Sequence, residues 1–296
     1  MPELPDVTVY VERLDARVRG QVLQRVRVLN PFLLRTAVPP ITQAEGRRVL
    51  GVERLGKRVV MALEDGLFLV IHLMIAGRLR WLAAGAKPPG KIALATFEFE
   101  GGILVLTEAG SKRRASLHLV AGRDALAALD AGGMDVLAGD LASFADRLQR
   151  ENHTLKRSLT DPRLFSGIGN GYSDEILHRA RLSPILLTRA LSEQQVAALF
   201  DAVRAVMNEW TERLRAEADK AGGWPGKVTA FHAGMAVHGK FGQPCPVCSA
   251  PVQRIVYAEN ETNYCARCQT GGKVLADRSL SRLLKASWPR HIDDLE

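Results

Sequence analysis

The chain has 296 residues, 47% of them apolar and 24% charged, and 40 Lys and Arg against 32 Asp and Glu give it a net charge of +8. That length accommodates two domains with separate cores. The composition is that of an ordinary globular protein, the start lacks the basic-then-apolar pattern of a secretory signal, and the longest apolar runs, such as Leu67 to Ile75, are too short to cross a bilayer.

An intracellular, cytoplasmic protein is therefore expected. The positive charge favours a polyanionic partner, with nucleic acid ahead of a membrane surface, although an inert basic surface fits equally well. All four cysteines lie between 245 and 268. In an intracellular protein such clustering points to a metal rather than to disulfides.

The chain opens Met1-Pro2-Glu3-Leu4-Pro5-Asp6. Removal of Met1 would leave Pro2 as a secondary amine, able to attack an aldehyde-like carbon and form an iminium. Glu3 supplies a carboxyl close enough to move protons for that amine. Many chains begin Met-Pro for no catalytic reason, so this stretch needs support from the rest of the sequence. Leu4, Val7, Val11, Leu14 and Val18 recur at helical spacing, which predicts a helix over 4–19. Pro5 suits its first turn and Gly20 its stop.

Short strand-like runs follow, at 22–28, 47–55, 58–63, 67–75, 78–82, 93–99 and 103–106. Glu64-Asp65-Gly66 and Glu100-Gly101-Gly102 read as hairpin turns. Many short strands with glycine turns indicate an antiparallel sandwich or barrel. A helical segment at 123–129 and the glycines at 132–133 close this domain, and 135–143 reads as a linker.

Beyond it the period becomes helical. Gly167-Ile-Gly-Asn-Gly-Tyr-Ser-Asp174 is a glycine-rich turn between helical segments at 154–159 and 173–181. Such a turn offers backbone N–H groups to a phosphate, and it also suits a plain packing corner between helices. Ser192-Glu-Gln-Gln195 is a capping box opening a long amphipathic helix. Cys245-x-x-Cys248 and Cys265-x-x-Cys268 have the spacing of a closed, tetrahedral and hence structural Zn2+ site clipping a β-hairpin; four incidental buried thiols are the alternative. The last 28 residues read as a basic amphipathic helix or a disordered arm.

Taken together, these stretches resemble the formamidopyrimidine-DNA glycosylase and endonuclease VIII family over about residues 1–270. The N-terminus looks like the family's, with Asp6 where Glu is usual. Lys57 in Leu55-Gly56-Lys57-Arg58 is similar to its β-hairpin lysine. Gly167-Ile-Gly-Asn170 with Ser173-Asp-Glu175 resembles its helix-two-turn-helix, and the cysteines resemble its zinc finger.

The resemblance implies an α+β fold. An N-terminal antiparallel β-sandwich with a leading helix spans 1–133, a helix-two-turn-helix DNA-binding domain 134–230, a four-cysteine β-hairpin zinc finger 231–270 and a basic extension 271–296. It implies damaged double-stranded DNA as partner, no membrane, and a monomer. It also implies a bifunctional DNA glycosylase and abasic-site lyase. Pro2 would attack the sugar C1′ and displace the base, Glu3 would move protons on the opening sugar, and Lys57 would assist β-elimination. The base must leave the stack to be reached. Lys156 and Asn170 match the family's phosphate contacts, and Arg113 an arginine inserted near the flipped-out base.

The pattern departs from the family at several places. Asn260 stands at the finger's tip where an arginine is usual, between Glu259 and Glu261, whose carboxylates would repel phosphate; δ-elimination is then not expected. Ile75 stands where a methionine wedge is usual, and the stretch 110–115 lacks the aromatic wedge. A lesion-binding protein of the same fold with weak or no base excision therefore remains the second reading. A zinc-finger regulator that reads sequence is not supported, because nothing resembles a base-reading helix.

Overall fold

A computed structural model describes the chain apart from residues 111, 227, 229, 230, 258, 259, 286, 287 and 296, and apart from the side chains of 257 and 278–280. It divides into two compact units, residues 1–131 with 210–229, and residues 132–209 with 230–296.

The first unit contains α1 (Leu4–Val18), β1 (Arg25–Val28), β2 (Val49–Leu55), β3 (Arg58–Leu63), β4 (Leu67–His72), β5 (Gly77–Leu82), β6 (Ala93–Phe99), β7 (Gly102–Glu108), β8 (Ser116–Ala121) and α2 (Arg123–Ala127). The strands form two antiparallel sheets, ordered β1-β6-β7-β5 and β2-β3-β4-β8. Alternation along each strand turns one face inward. Phe97 and Leu104 from one sheet and Met61, Leu69 and Ile71 from the other share a single core. Val7, Tyr10, Leu14 and Val18 of α1 enter that core, and Val11 packs at its edge. The expected sandwich with a leading helix is therefore present. It includes a strand the sequence reading left out: β8 pairs with β4 from Leu67↔Ala121 to His72↔Ser116 and completes the second sheet.

Residues 210–229 complete this unit. Trp224 lies 5.8 Å from Tyr10 and 6.1 Å from Trp81 between ring centroids. Its indole N–H donates to the Leu79 carbonyl at 3.1 Å, and the Arg17 guanidinium lies 5.1 Å from its ring centre.

The second unit begins with β9 (Met134–Asp135), paired in parallel with β10 (Phe165–Ser166). The stretch 135–143, read as a linker, instead ends this strand and starts α3 (Leu141–Gln149), whose Asp140 cap accepts the Ser143 N–H at 2.8 Å. Next come α4 (Leu155–Thr160), α5 (Asn170–Arg179) and the start of α6 (Glu193–Lys220). The capping box before α6 forms as expected, with reciprocal bonds between Ser192 and Gln195. Phe144 packs 4.8 Å from Phe165 and 5.3 Å from Phe200.

The finger is β11 (Gln253–Tyr257), β12 (Asn260–Tyr264) and α7 (Ala266–Thr270). After it, α8 (Arg278–Leu284) is short, and the residues around it are not a free arm. Leu275 and Ile292 join Val237, Val252, Ile255 and Tyr264 in the finger's own core. The Val256 N–H donates to Asp277 at 2.8 Å, and the Leu275 N–H to the Tyr264 hydroxyl at 2.7 Å. Among the described residues, no helix is long and apolar enough to cross a membrane.

Candidate active site and nucleic-acid interface

Pro2 and Glu3 sit at the mouth of α1, and both are buried. Glu3 is the N-cap, and its N–H donates to the Asp6 carboxylate at 2.9 Å in a capping box. Asp6, where the resemblance led us to expect Glu, thus closes the first helical turn. The positive end of a helix disfavours a cation and favours a carboxylate. Burial likewise lowers the pKa of the Met1 α-amine; Glu3 opposes that shift, and Arg78 and Lys57 add to it. An amine at this spot is biased toward its neutral, nucleophilic form.

Lys57 occupies the two-residue turn between β2 and β3, where Leu55 pairs with Arg58. Gly56, at φ 61°, supplies the left-handed conformation such a turn requires. Burial lowers the Lys57 pKa, and the Glu3 carboxylate acts against that shift. The amine, the carboxylate and the lysine are therefore within electrostatic reach of one another. Beside Asp6, in the same unit, Val9, Leu214, Glu217 and Val228 help line a cavity of about 310 Å³.

Ile75 projects from the turn between β4 and β5 and is 53% exposed. Its turn is held on both sides. The Met74 N–H donates to His72 Nδ1 at 3.0 Å, and Arg78 Nη1 to the Ile75 carbonyl at 3.2 Å. A side chain at Gly77 would meet the Leu73 carbonyl at 2.2 Å, so only glycine fits there. Burial, reinforced by Arg58, Lys57 and His118, lowers the His72 pKa to about 4.

The neutral ring is the form that accepts from Met74. Because the folded pKa lies below the free value of about 6.5, the unfolded chain binds the proton first as pH falls. Stability should then decline between about pH 6.5 and about pH 4 and level off below. Thermal unfolding across that window should show a smaller decline in a His72→Gln variant.

Arg113 lies exposed on the loop between β7 and β8, and its guanidinium donates to the Lys91 carbonyl at 2.6 Å. The neck of that loop is closed by the buried Glu108 carboxylate, which accepts the N–H groups of Arg114 and Ala115 at 3.0 Å. Ser111, in the same stretch, lies outside the described residues.

The second unit binds the turn and the finger through one face of α5. Lys156 does not present a free ammonium. Its Nζ donates to the Asn170 carbonyl at 2.6 Å and to the fully buried Asp174 carboxylate at 2.5 Å. Asn170 is the first residue of α5, and its side-chain amide donates to the Glu261 carbonyl at 3.0 Å. Asp174 also accepts from His238 Nδ1 at 2.7 Å and from the Asn263 N–H at 3.1 Å. Glu175 accepts the N–H groups of Ala236, Val237 and His238. One turn further on, His178 Nε2 lies 3.3 Å from Cys245 Sγ. Residues 170, 174 and 178 are spaced to share one helix face.

Asn260 opens β12 and is exposed. The expectation of two repelling carboxylates beside it changes. Glu261 pairs with Arg254 at 3.3 Å, and Glu259 lies outside the described residues.

The sulfurs of Cys245, Cys248, Cys265 and Cys268 all lie within 4.8 Å of one another. Tetrahedral Zn–S bonds of about 2.3 Å place sulfurs roughly 3.8 Å apart. Two of the pairs measure 3.9 Å and 3.4 Å. Burial, with the neighbouring sulfurs, pushes the Cys265 thiol up to about 11 and raises Cys268 as well. Holding all four as thiolates at this spacing requires a cation, and the donor set fits zinc.

Known proteins carry the same three parts in the same order. Residues 1–115 match the formamidopyrimidine-DNA glycosylase N-terminal domain, 133–218 the formamidopyrimidine-DNA glycosylase H2TH domain, and 242–271 the zinc finger found in FPG and IleRS. The formamidopyrimidine-DNA glycosylase of Thermus thermophilus is 36% identical over 282 residues, covering 92% of this chain and all of that protein. The chain belongs to the formamidopyrimidine-DNA glycosylase family.

Solved structures agree. The T. thermophilus MutM (Fpg) crystal structure superposes with a TM-score of 0.74 at 35% identity, covering 90% of this chain and 98% of that one. Lactococcus lactis Fpg in complex with a FAPY-dG containing DNA gives 0.80 at 25% identity, covering 90% and 100%. The four-cysteine cluster of this family member is accordingly a zinc finger holding one structural zinc. Sequence reasoning missed Glu108, His178, His238 and the paired carboxylates Asp174 and Glu175. Only the last two carried a signal, as adjacent acids in the Ser173-Asp-Glu175 stretch that follows the glycine-rich turn, though without a role assigned to either.

Proposed function

We propose that the protein is a bifunctional DNA glycosylase and abasic-site lyase that removes oxidised bases from double-stranded DNA. The observation that carries this reading is the mutual electrostatic reach of the half-buried N-terminal amine, the buried Glu3 carboxylate and the half-buried Lys57. Once Met1 is removed, the Pro2 nitrogen attacks C1′, the bond from C1′ to the base breaks, and the base departs with the electron pair and a proton. Glu3 shuttles protons as the sugar ring opens. The resulting iminium acidifies C2′. Lys57, held with a lowered pKa, is suited to assist removal of that proton, and the 3′ phosphate then leaves.

Ile75 and Arg113, on braced loops, fill the space left by the extruded nucleotide. Asn170, Lys156 and Asn260 belong to the phosphate-facing surface, with Lys156 acting through Asn170 and Asp174. In this reading 1–133 is the catalytic domain, 134–230 the helix-two-turn-helix domain, 231–270 the finger and 271–296 its extension. The protein works as a monomer, in the cytoplasm with the chromosome.

Borohydride trapping tests the reading on duplexes carrying an abasic site, 8-oxoguanine or an oxidised pyrimidine. The duplex that traps best names the lesion class. DNA binding without an adduct on any of them would instead favour a lesion-binding protein with no excision activity. Asn260 carries no charge and no acidic proton to lend a leaving phosphate. The cleaved strand should therefore end mainly at the β-elimination product on a denaturing gel, and a dominant δ-elimination product would refute that role.

A further inference from the structure

We propose that His178 is an outer-sphere hydrogen-bond donor to the Cys245 thiolate of the zinc site, tying the metal centre to helix α5. The contact joins residues 67 positions apart in sequence, at 3.3 Å between Nε2 and Sγ. Both partners are buried, His178 at 7% exposure and Cys245 at 2%. A metal-bound thiolate has no proton to give, so the imidazole must donate and the hydrogen must sit on Nε2.

The finger's own backbone supplies weaker donors. The Val247 N–H reaches Cys245 Sγ at 3.5 Å, and the Cys268 N–H reaches Cys265 Sγ at 3.5 Å. His178 comes from a different element and makes a shorter contact. Its partner sulfur carries part of the surplus negative charge of four thiolates around a divalent ion. An N–H aimed at that sulfur offsets the charge and fixes the ligand's orientation, as partners beyond the ligands do in metal sites generally. His178 is thus a positioning residue for the metal, at the third step along the face that starts with Asn170 and Asp174.

The test uses full-length, zinc-loaded protein and three variants. His178→Ala removes the ring, His178→Phe keeps the volume without a donor, and His178→Gln keeps an N–H at the position of Nε2. Competition with a chromogenic chelator should show zinc affinity falling about 10- to 100-fold in the Ala and Phe variants, with substantial recovery in Gln. In cobalt-substituted protein, the thiolate-to-metal charge-transfer band should move to lower energy in Ala and Phe, because their sulfur lone pair is no longer stabilised, and stay near the parent position in Gln. Parent-like zinc affinity and an unmoved band in the Phe variant would overturn the proposal. Equal zinc loss in all three variants with no movement of the band would also overturn it, assigning His178 to packing alone.

Discussion

Protein freed of Met1 should form a borohydride-stable adduct with an abasic-site duplex at least about 100-fold faster than protein that retains it. While Met1 is attached, the Pro2 nitrogen is an amide whose lone pair is delocalised into the carbonyl, and it cannot form an iminium. The Met1 α-amine is itself held toward its neutral form by burial, so basicity alone does not separate the two states. Position does. Adding a residue displaces the reactive nitrogen by up to about 3.8 Å, whereas productive attack needs reacting atoms within about 3–3.5 Å.

Lys57 is the competing amine, since its pKa is also lowered. Trapping should therefore be compared in the two forms, in Pro2→Gly and in Lys57→Met. Equal trapping rates with and without Met1, together with loss of trapping in Lys57→Met, would move the nucleophile to Lys57. A strong drop in Pro2→Gly with trapping retained in Lys57→Met is the expected result.

Cys265→Ser should lose zinc and DNA affinity together. Cys265 is fully buried, caps α7, and donates its N–H to the Gln269 side chain at 2.8 Å. Gln269 in turn donates to the Leu182 carbonyl at 2.9 Å. A structural zinc contributes on the order of 10–16 kcal/mol in small zinc-binding peptides, comparable with the whole stability of a typical domain, about 5–15 kcal/mol. Without the metal the finger should open and take with it the hairpin that carries Asn260, which the proposed function assigns to DNA contact. Metal content and fluorescence anisotropy on an abasic-site duplex check this. A zinc-free variant with parental DNA affinity would show that the finger does not contribute to binding.

Much of this architecture was legible in the sequence where the signal is local. The apolar spacing of α1, the Gly56-Lys57 turn, the Ser192 capping box and the two CxxC pairs each depend on residues a few positions apart. The misses are long-range. Strand β8 alternates weakly, as Ser116-Leu-His-Leu-Val-Ala, and is fixed by pairing with a strand some fifty residues earlier. The segment after Cys268 carries basic charge and scattered leucines, and nothing in it announces that Leu275 and Ile292 fill the finger's core. Lys156 was legible as a cation but not as the partner of Asp174. The start of α5 at Asn170 rather than Ser173 likewise follows from three-dimensional fit, in which Asn170 reaches the finger hairpin.

The alignment of Asn170, Asp174 and His178 along one helix face limits how this protein can be taken apart. A finger is usually pictured as an interchangeable part, transferable between relatives by cutting at its ends. Here the hairpin carbonyl of Glu261, the backbone of Asn263 and the ligand Cys245 each dock on a different turn of α5. A chimera that imports another finger without its matching helix face would strip Asp174 of its His238 partner, leaving, among the described residues, Lys156 and the backbone N–H at position 263 to meet its carboxylate. Inheritance of the finger and of α5 is therefore joint: the smallest exchangeable piece of this protein is the pair.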